Sequence, residues 1–241
     1  MRKSVRLFLC GTGLACVFPV NAIAADAQIP QAKYRPPDDV TMIELRGTSE
    51  AGGLTGRFTM IVDLHSGRYV AQRDYGIYSE ATGFDGQLGW KRDRSGASHF
   101  LNSDPARAIT ATEAWLFRRG WCEGENGATR VESRPDEKDG KVTEAVWNVT
   151  PKDGIPVLLR FEKANGLLHQ SEVSLWSSRL VRHYSDWREI DGVLIPFAEK
   201  DEYPEDESVE LIKIESAKVN LQNVDAKIFK RPPNIHDSAI N

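Results

Sequence analysis

The chain has 241 residues, with 31 Lys+Arg against 35 Asp+Glu and a formal net charge of −4. Nucleic acid and anionic lipid surfaces both repel a net negative chain, so neither is expected as a partner. The length suits a single domain, since all-β domains often run to about 200 residues or more.

Residues 1–24 read as an export signal. Arg2, Lys3 and Arg6 give a positive start, and Leu7 to Val20 is mostly apolar but too short to span a bilayer. Ala22-Ile23-Ala24 is a small-x-small cleavage site, so the mature chain is expected to begin near Ala25, in the periplasm or beyond. No later stretch is long and apolar enough for a stable membrane span. Removing the three basic residues of the signal leaves 28 Lys+Arg against 35 acids, a mature net charge of −7. Cys10 and Cys16 leave with the signal. Cys122 remains alone, which excludes an intrachain disulfide. Residues 25–40 carry Pro30, Pro36 and Pro37 and read as a flexible leader to a single domain at 41–233, with 234–241 as a tail.

Strand signals begin near Thr41. In Arg57 to Leu64, Phe58, Met60, Val62 and Leu64 share one face. Arg68 to Asp74 returns after His65-Ser66-Gly67. Thr82 to Asp85 and Gln87 to Arg92 make a hairpin about Asp85-Gly86, with Leu88 and Trp90 on one face. A helix is predicted over Asp104 to Arg119. Ser103 is placed to cap it and Pro105 sits in its first turn. Ala108, Ile109, Ala111, Thr112, Trp115 and Leu116 form its apolar stripe, and Gly120 is placed to close it.

Glu123 to Gly140 is polar and reads as a loop, with at most a short strand near Thr129 to Ser133. A meander follows. Ala145, Trp147 and Val149 share a face in Lys141 to Thr150, as do Val157, Leu159 and Phe161 in Pro156 to Glu162. Strands are predicted over Leu167 to Trp176, Leu180 to Arg188, Val193 to Glu202 and Ser208 to Leu221, with a helical turn over Asp225 to Phe229. The connecting pairs Ser95-Gly96, Asp139-Gly140, Asp153-Gly154, Asn165-Gly166 and Asp191-Gly192 are tight-turn chemistry.

No catalytic constellation is legible. His65, His99, His169, His183 and His236 include no pair three or four residues apart, so no helical metal site is expected. There is no Gly-x-Ser-x-Gly elbow, no Asp-Thr-Gly triplet and no phosphate loop, and no cofactor is expected. The acidic run Glu199 to Glu210 fits no calcium loop and reads as the solvated tip of a hairpin. The aromatic residues are more informative. Trp90, Trp115, Trp147, Trp176 and Trp187 fall in regular elements, and Trp121 follows the helix. The candidate lining of an apolar cavity is Phe58, Met60, Val62, Trp90, Trp115, Leu116, Trp147, Phe161 and Trp187. The same residues would equally fill a core between sheet and helix.

Two segments carry a resemblance. Gly83-Phe84-Asp85-Gly86-Gln87-Leu88-Gly89-Trp90, followed by a second hairpin and the helix with Thr112-Glu113-Ala114-Trp115, resembles a module that precedes retropepsin-like aspartic protease domains in exported bacterial proteins. The segment from Asp186-Trp187-Arg188 to Ile195-Pro196-Phe197 resembles the late hairpin of the LolA-like lipoprotein carriers. The resemblance spans about Thr41 to Pro232. It implies a mainly β fold: a half-open antiparallel barrel wrapped around one amphipathic helix. It also implies an apolar cavity that holds acyl chains, and the leading reading is a non-catalytic binding module for a lipid, an acyl chain or an apolar protein segment. No protease residue and no individual lipid contact carries over. Two other readings stay open, an interaction or sensor module with a filled core, and an unrecognised hydrolase.

Overall fold

In a computed structural model, residues 33–175 and 177–234 are described. The export signal, the first part of the leader, Trp176, His236 and the tail from residue 235 lie outside them.

Six strands come first: β1 (Met42–Ala51), β2 (Leu54–Asp63), β3 (Tyr69–Asp74), β4 (Ser79–Phe84), β5 (Gly89–Arg92) and β6 (Ser98–Leu101). The helix α1 (Asp104–Phe117) follows, then a 3-10 segment at Gly120–Gly127. Seven more strands complete the sheet: β7 (Ala128–Asp139), β8 (Val142–Pro151), β9 (Val157–Glu162), β10 (Leu168–Ser174), β11 (Arg179–Ile190), β12 (Val193–Tyr203) and β13 (Ser208–Val219). Short 3-10 turns stand at Pro204–Asp206 and Ala226–Phe229.

All thirteen strands form one antiparallel sheet, in the order β6-β5-β4-β3-β2-β1-β13-β12-β11-β10-β9-β8-β7. The sheet curls around α1 without closing, because β6 and β7 do not pair with each other. Apolar alternation sets its inward face: Phe58, Met60 and Val62 in β2, and Val157, Leu159 and Phe161 in β9, are all buried. The Asp191-Gly192 hairpin puts both residues at positive φ, the type I′ geometry that suits twisted strands. Gly47 marks the bulge where β1 crosses β13; a Cβ there would meet the Lys213 carbonyl oxygen at 1.9 Å.

The helix is fastened to both halves of the sheet. Gly89 in β5 leaves room for Thr110, and the Tyr69 and Phe117 rings meet at 4.8 Å. On the other side, the Ile155 N–H donates to Thr112 Oγ1 at 2.8 Å. Two cores flank α1, one around Phe58, Met60, Val62 and Ile212, the other around Trp115, Trp147, Leu159 and Phe161.

Three expectations are corrected. The predicted loop over 123–140 is largely the strand β7. It is an edge strand paired only with β8, so it needs no apolar face, and Pro135 falls where its register shifts. The helix stops at Phe117, two residues early. Arg119, not Gly120, takes the left-handed conformation (φ 60), while Gly120 passes so close to Trp115 that a Cβ would meet its ring at 2.1 Å. Ser103 caps α1 with its backbone alone. Finally, the leader does not stand clear of the domain, since Tyr34 and Val40 are buried. Tyr34 is 1% exposed and packs edge-on against Trp121, Phe161 and Trp187. Its hydroxyl donates to the Gly166 carbonyl at 3.1 Å and accepts from the Leu168 N–H.

Candidate functional site

The space left between α1 and the inner face consists of two adjoining parts. The narrower, about 70 Å³, is lined by Ile43, Leu45, Met60, Val62, Leu116, Phe117 and Trp187, with Arg119, Tyr184 and Glu199 as its polar members. The wider, about 310 Å³, includes Phe58, Met60, Tyr69, Ala71, Ile109 and Phe117. Met60, Phe117 and Glu199 border both.

The wider chamber is not apolar throughout. Strand register turns charges into it. Phe58 pairs with Arg73 across β2 and β3, and Asp201 of β12 pairs with Arg182 on one side and Glu210 on the other. Arg182 grips Asp201 with a two-pronged bond, Nε to Oδ1 and Nη2 to Oδ2, both 2.8 Å. Its Nη1 donates to Glu113 Oε2 of the helix at 3.4 Å, and its Nε lies 3.8 Å from Glu199 Oε2. Arg73 donates to both oxygens of Glu210, and Ser49 Oγ donates to Glu210 Oε1 at 2.7 Å. Such pairs lose most of their hydration, and removing one member strands the other in a low-dielectric site.

Burial sets the protonation pattern. It pushes Glu199 up to about 7, with Asp201 and Glu113 adding to the rise and Arg182 opposing it. Burial also works against the Arg182 charge, but Asp201 and Glu113 outweigh it and hold that guanidinium well above its ordinary value. Arg119 is lowered to about 10 by burial; it donates to the backbone carbonyls of Tyr34, at 3.2 Å, and Leu194.

Five of the nine predicted lining residues meet at this cavity: Phe58, Met60, Val62, Leu116 and Trp187. Trp115, Trp147 and Phe161 are packed together in the second core with Tyr34 and Leu159. Trp90 is on the wrong face. Its register partner is Gly83, and its ring is covered from outside by Phe229, whose carbonyl accepts from Trp90 Nε1 at 2.7 Å. The neighbouring Gly89 is the residue that faces the helix. A glycine inside a strand is the available signal for such a close approach.

Sequence reasoning also missed the charged half of the chamber. The run from Glu199 to Glu210 is not a solvated tip throughout, because Glu199, Asp201 and Glu210 point inward and Asp201 is 2% exposed. The signal was period two: Glu199, Asp201 and Tyr203 alternate in phase, as Tyr69, Ala71 and Arg73 do in β3.

No protein-family model and no curated protein matches the chain. Solved structures do. A DUF1329 family protein from Desulfovibrio piger superposes with a TM-score of 0.54 at 12% identity, over 80% of this chain and 91% of that one. A putative outer membrane lipoprotein-sorting protein domain from Vibrio parahaemolyticus gives 0.54 at 9% identity, over 78% and 88%. A LolA superfamily protein from Nitrosomonas europaea gives 0.55 at 14% identity, over 84% and 95%. Among the described residues thirteen antiparallel strands are left open around one helix, and the chain has a LolA-like fold.

Proposed function

We propose that this protein is an exported, non-catalytic binding module that holds an acyl chain or another apolar group beneath α1. The observation that carries this reading is the apolar slot lined by Ile43, Leu45, Met60, Val62 and Leu116, which runs into a wider chamber with charged walls. Small-molecule sites commonly measure about 300–1,000 Å³, so the chamber suits a modest ligand and the slot suits the end of a chain. A tail in the slot with a polar group in the chamber would match apolar to apolar and polar to polar. The structural likeness to a putative lipoprotein-sorting domain supports a carrier-type role, and the reading of residues 1–24 as a signal supports a periplasmic one.

A second reading, a filled-core interaction module, is favoured by the narrowness of the slot and by the close packing of Trp115, Trp147 and Phe161. The charged chamber does gather convergent polar groups. Its strongest members are bound to one another, Arg182 to Asp201 and Arg73 to Glu210, which supports a structural use of them over catalysis.

Native mass spectrometry of the protein purified from the periplasm, followed by solvent extraction, tests the proposal. A co-purifying acyl species near one equivalent is the expected result. A bare mass that does not change after incubation with phospholipid and lipopeptide sinks the carrier reading. Val62→Phe, which adds bulk to the slot, should abolish acyl binding while lowering Tm by only about 2–12 °C, overpacking costing about 1–3 kcal/mol. Retained binding would move the site elsewhere.

A further inference from the structure

The outer face of the second half of the sheet holds a buried carboxylate that the inner cavity does not use. Glu144, in β8, is 2% exposed, yet its Oε1 accepts no hydrogen bond among the described residues. A charged group left in this state is costly, so such groups call for a missing partner, a water or an ion. His169 Nε2 lies 3.8 Å from that oxygen. Asp139, the last residue of β7, brings a carboxylate oxygen to the same place. One ligand atom each from Asp139, Glu144 and His169 lie within 4.8 Å of one another.

The backbone explains how these residues meet. Leu168 pairs with Phe161 and Gln170 with Arg160, so His169 is the extra residue of a β-bulge in β10. A bulge re-aims a side chain out of the normal alternation. Arg160 faces three carboxylates, Glu137 at 3.1 Å, Glu144 Oε2 at 3.6 Å and Glu172 at 3.6 Å, of which Glu172 is also paired with Arg179 at 3.4 Å. Arg160 engages the far side of Glu144 and leaves Oε1 open. Histidine spacing along the chain could not reveal this arrangement, because the three residues come from three different strands.

We propose that Asp139, Glu144 and His169 bind a first-row divalent cation, with Zn²⁺ the best fit. One imidazole nitrogen and two carboxylate oxygens, completed by water, are a zinc-type donor set. Calcium and magnesium prefer shells made of oxygen alone. Ligand atoms around tetrahedral Zn²⁺ stand about 3.4 Å apart, given metal–ligand bonds of about 2.1 Å. The present spread, within 4.8 Å, closes with a shift of up to about 1.4 Å, and Asp139, exposed beside the Asp139-Gly140 turn, is free to make it. The ion would clasp the β7–β8 hairpin to β10, across the intervening β9. This site is independent of the ligand cavity.

The test is titration of the chelator-treated, purified protein with Zn²⁺, by calorimetry and by thermal melt. One Zn²⁺ per chain is expected. Saturation at 100 times Kd should raise Tm by about 5–10 °C. Glu144→Gln and His169→Gln should each weaken binding at least tenfold and remove the Tm shift, while His183→Gln should do neither. Asp139→Asn, at an exposed position, keeps the test decisive should a buried variant fail to fold; it too should weaken binding. Absence of binding at millimolar Zn²⁺, or equal affinity in the wild type and in Asp139→Asn, overturns the proposal.

Discussion

At the scale of the residue, Glu199 shows how register overrides composition. Taken along the chain it is one acid in an acidic run; across the sheet it is opposite Tyr184 and Ile212 and beside Arg182. Its ordinary value of 4.5 rises to about 7 because burial penalises the charged form, so protonation favours the fold. Above pH 7 the carboxylate is ionised both folded and unfolded, and the folded state carries the full cost. Between pH 7 and about 4.5 only the folded state takes up the proton, so this group's contribution to stability rises as pH falls. Glu199→Gln removes the titration. The variant should be more stable than the wild type at pH 8, by roughly 1–3 kcal/mol at about 1.4 kcal/mol per pKa unit, with the gain vanishing near pH 4.5. Tm measured from pH 4.5 to 8 decides it, and parallel profiles for the two proteins would refute the assignment. Period two puts Glu199, Asp201 and Tyr203 on one face, but a single sequence does not report that Arg182 stands across the sheet from them, and that pairing is what makes the charged half of the chamber.

Elements were far more readable than sites. The helix, the tight turns and most strands follow from local pattern: a 3–4 spaced stripe, Gly at positive φ, alternation of Phe58, Met60 and Val62. β7 escaped because an edge strand satisfies only half its backbone in the sheet and needs no apolar face. The candidate site divided for a related reason. Period two says which residues share a face and leaves open which face is inner: Phe58, Met60 and Val62 of β2 border the cavity, while Trp90 of β5 packs outside with Phe229. The helix stripe was right at Trp115 and Leu116, which face different surroundings. Leu116 borders the slot, and Trp115, 2% exposed, is wedged against Trp121 with Gly120 beneath its ring. Trp115→Ala should therefore cost about 3–5 kcal/mol of stability, as for a large buried aromatic, and leave acyl binding near the wild-type level in the fraction that stays folded. Chemical denaturation paired with a ligand titration separates the two effects. Loss of binding at unchanged stability would return Trp115 to the ligand site.

For the whole molecule, the open barrel needs cover on its outer face as well as a plug inside. The turn at Ala226–Phe229 supplies some of that cover, laying Phe229 over Val70, Ala81 and Trp90, with the Arg68 guanidinium 5.0 Å from the Phe229 ring centre. Removing residues 224–241 should expose this patch. Tm is expected to fall by several degrees, and tryptophan emission to shift red as Trp90 meets water, because an uncovered aromatic loses its burial and its N–H acceptor together. An unchanged spectrum would mean that Trp90 is sheltered by something else.

The strand order has a consequence for how the chain assembles. Every neighbouring pair in the sheet joins strands that are consecutive in sequence, except the seam of β1 with β13, where Ile43 meets Val219. Each half can therefore zip up from its own hairpins at local cost. Joining the halves must wait until the last strand is available, and it closes a loop that spans nearly the whole domain. A chain that emerges from a translocon start-first would carry β1 as an unpaired edge for as long as β13 is delayed. The slow step of folding and the period of greatest exposure to other chains then coincide at this one seam.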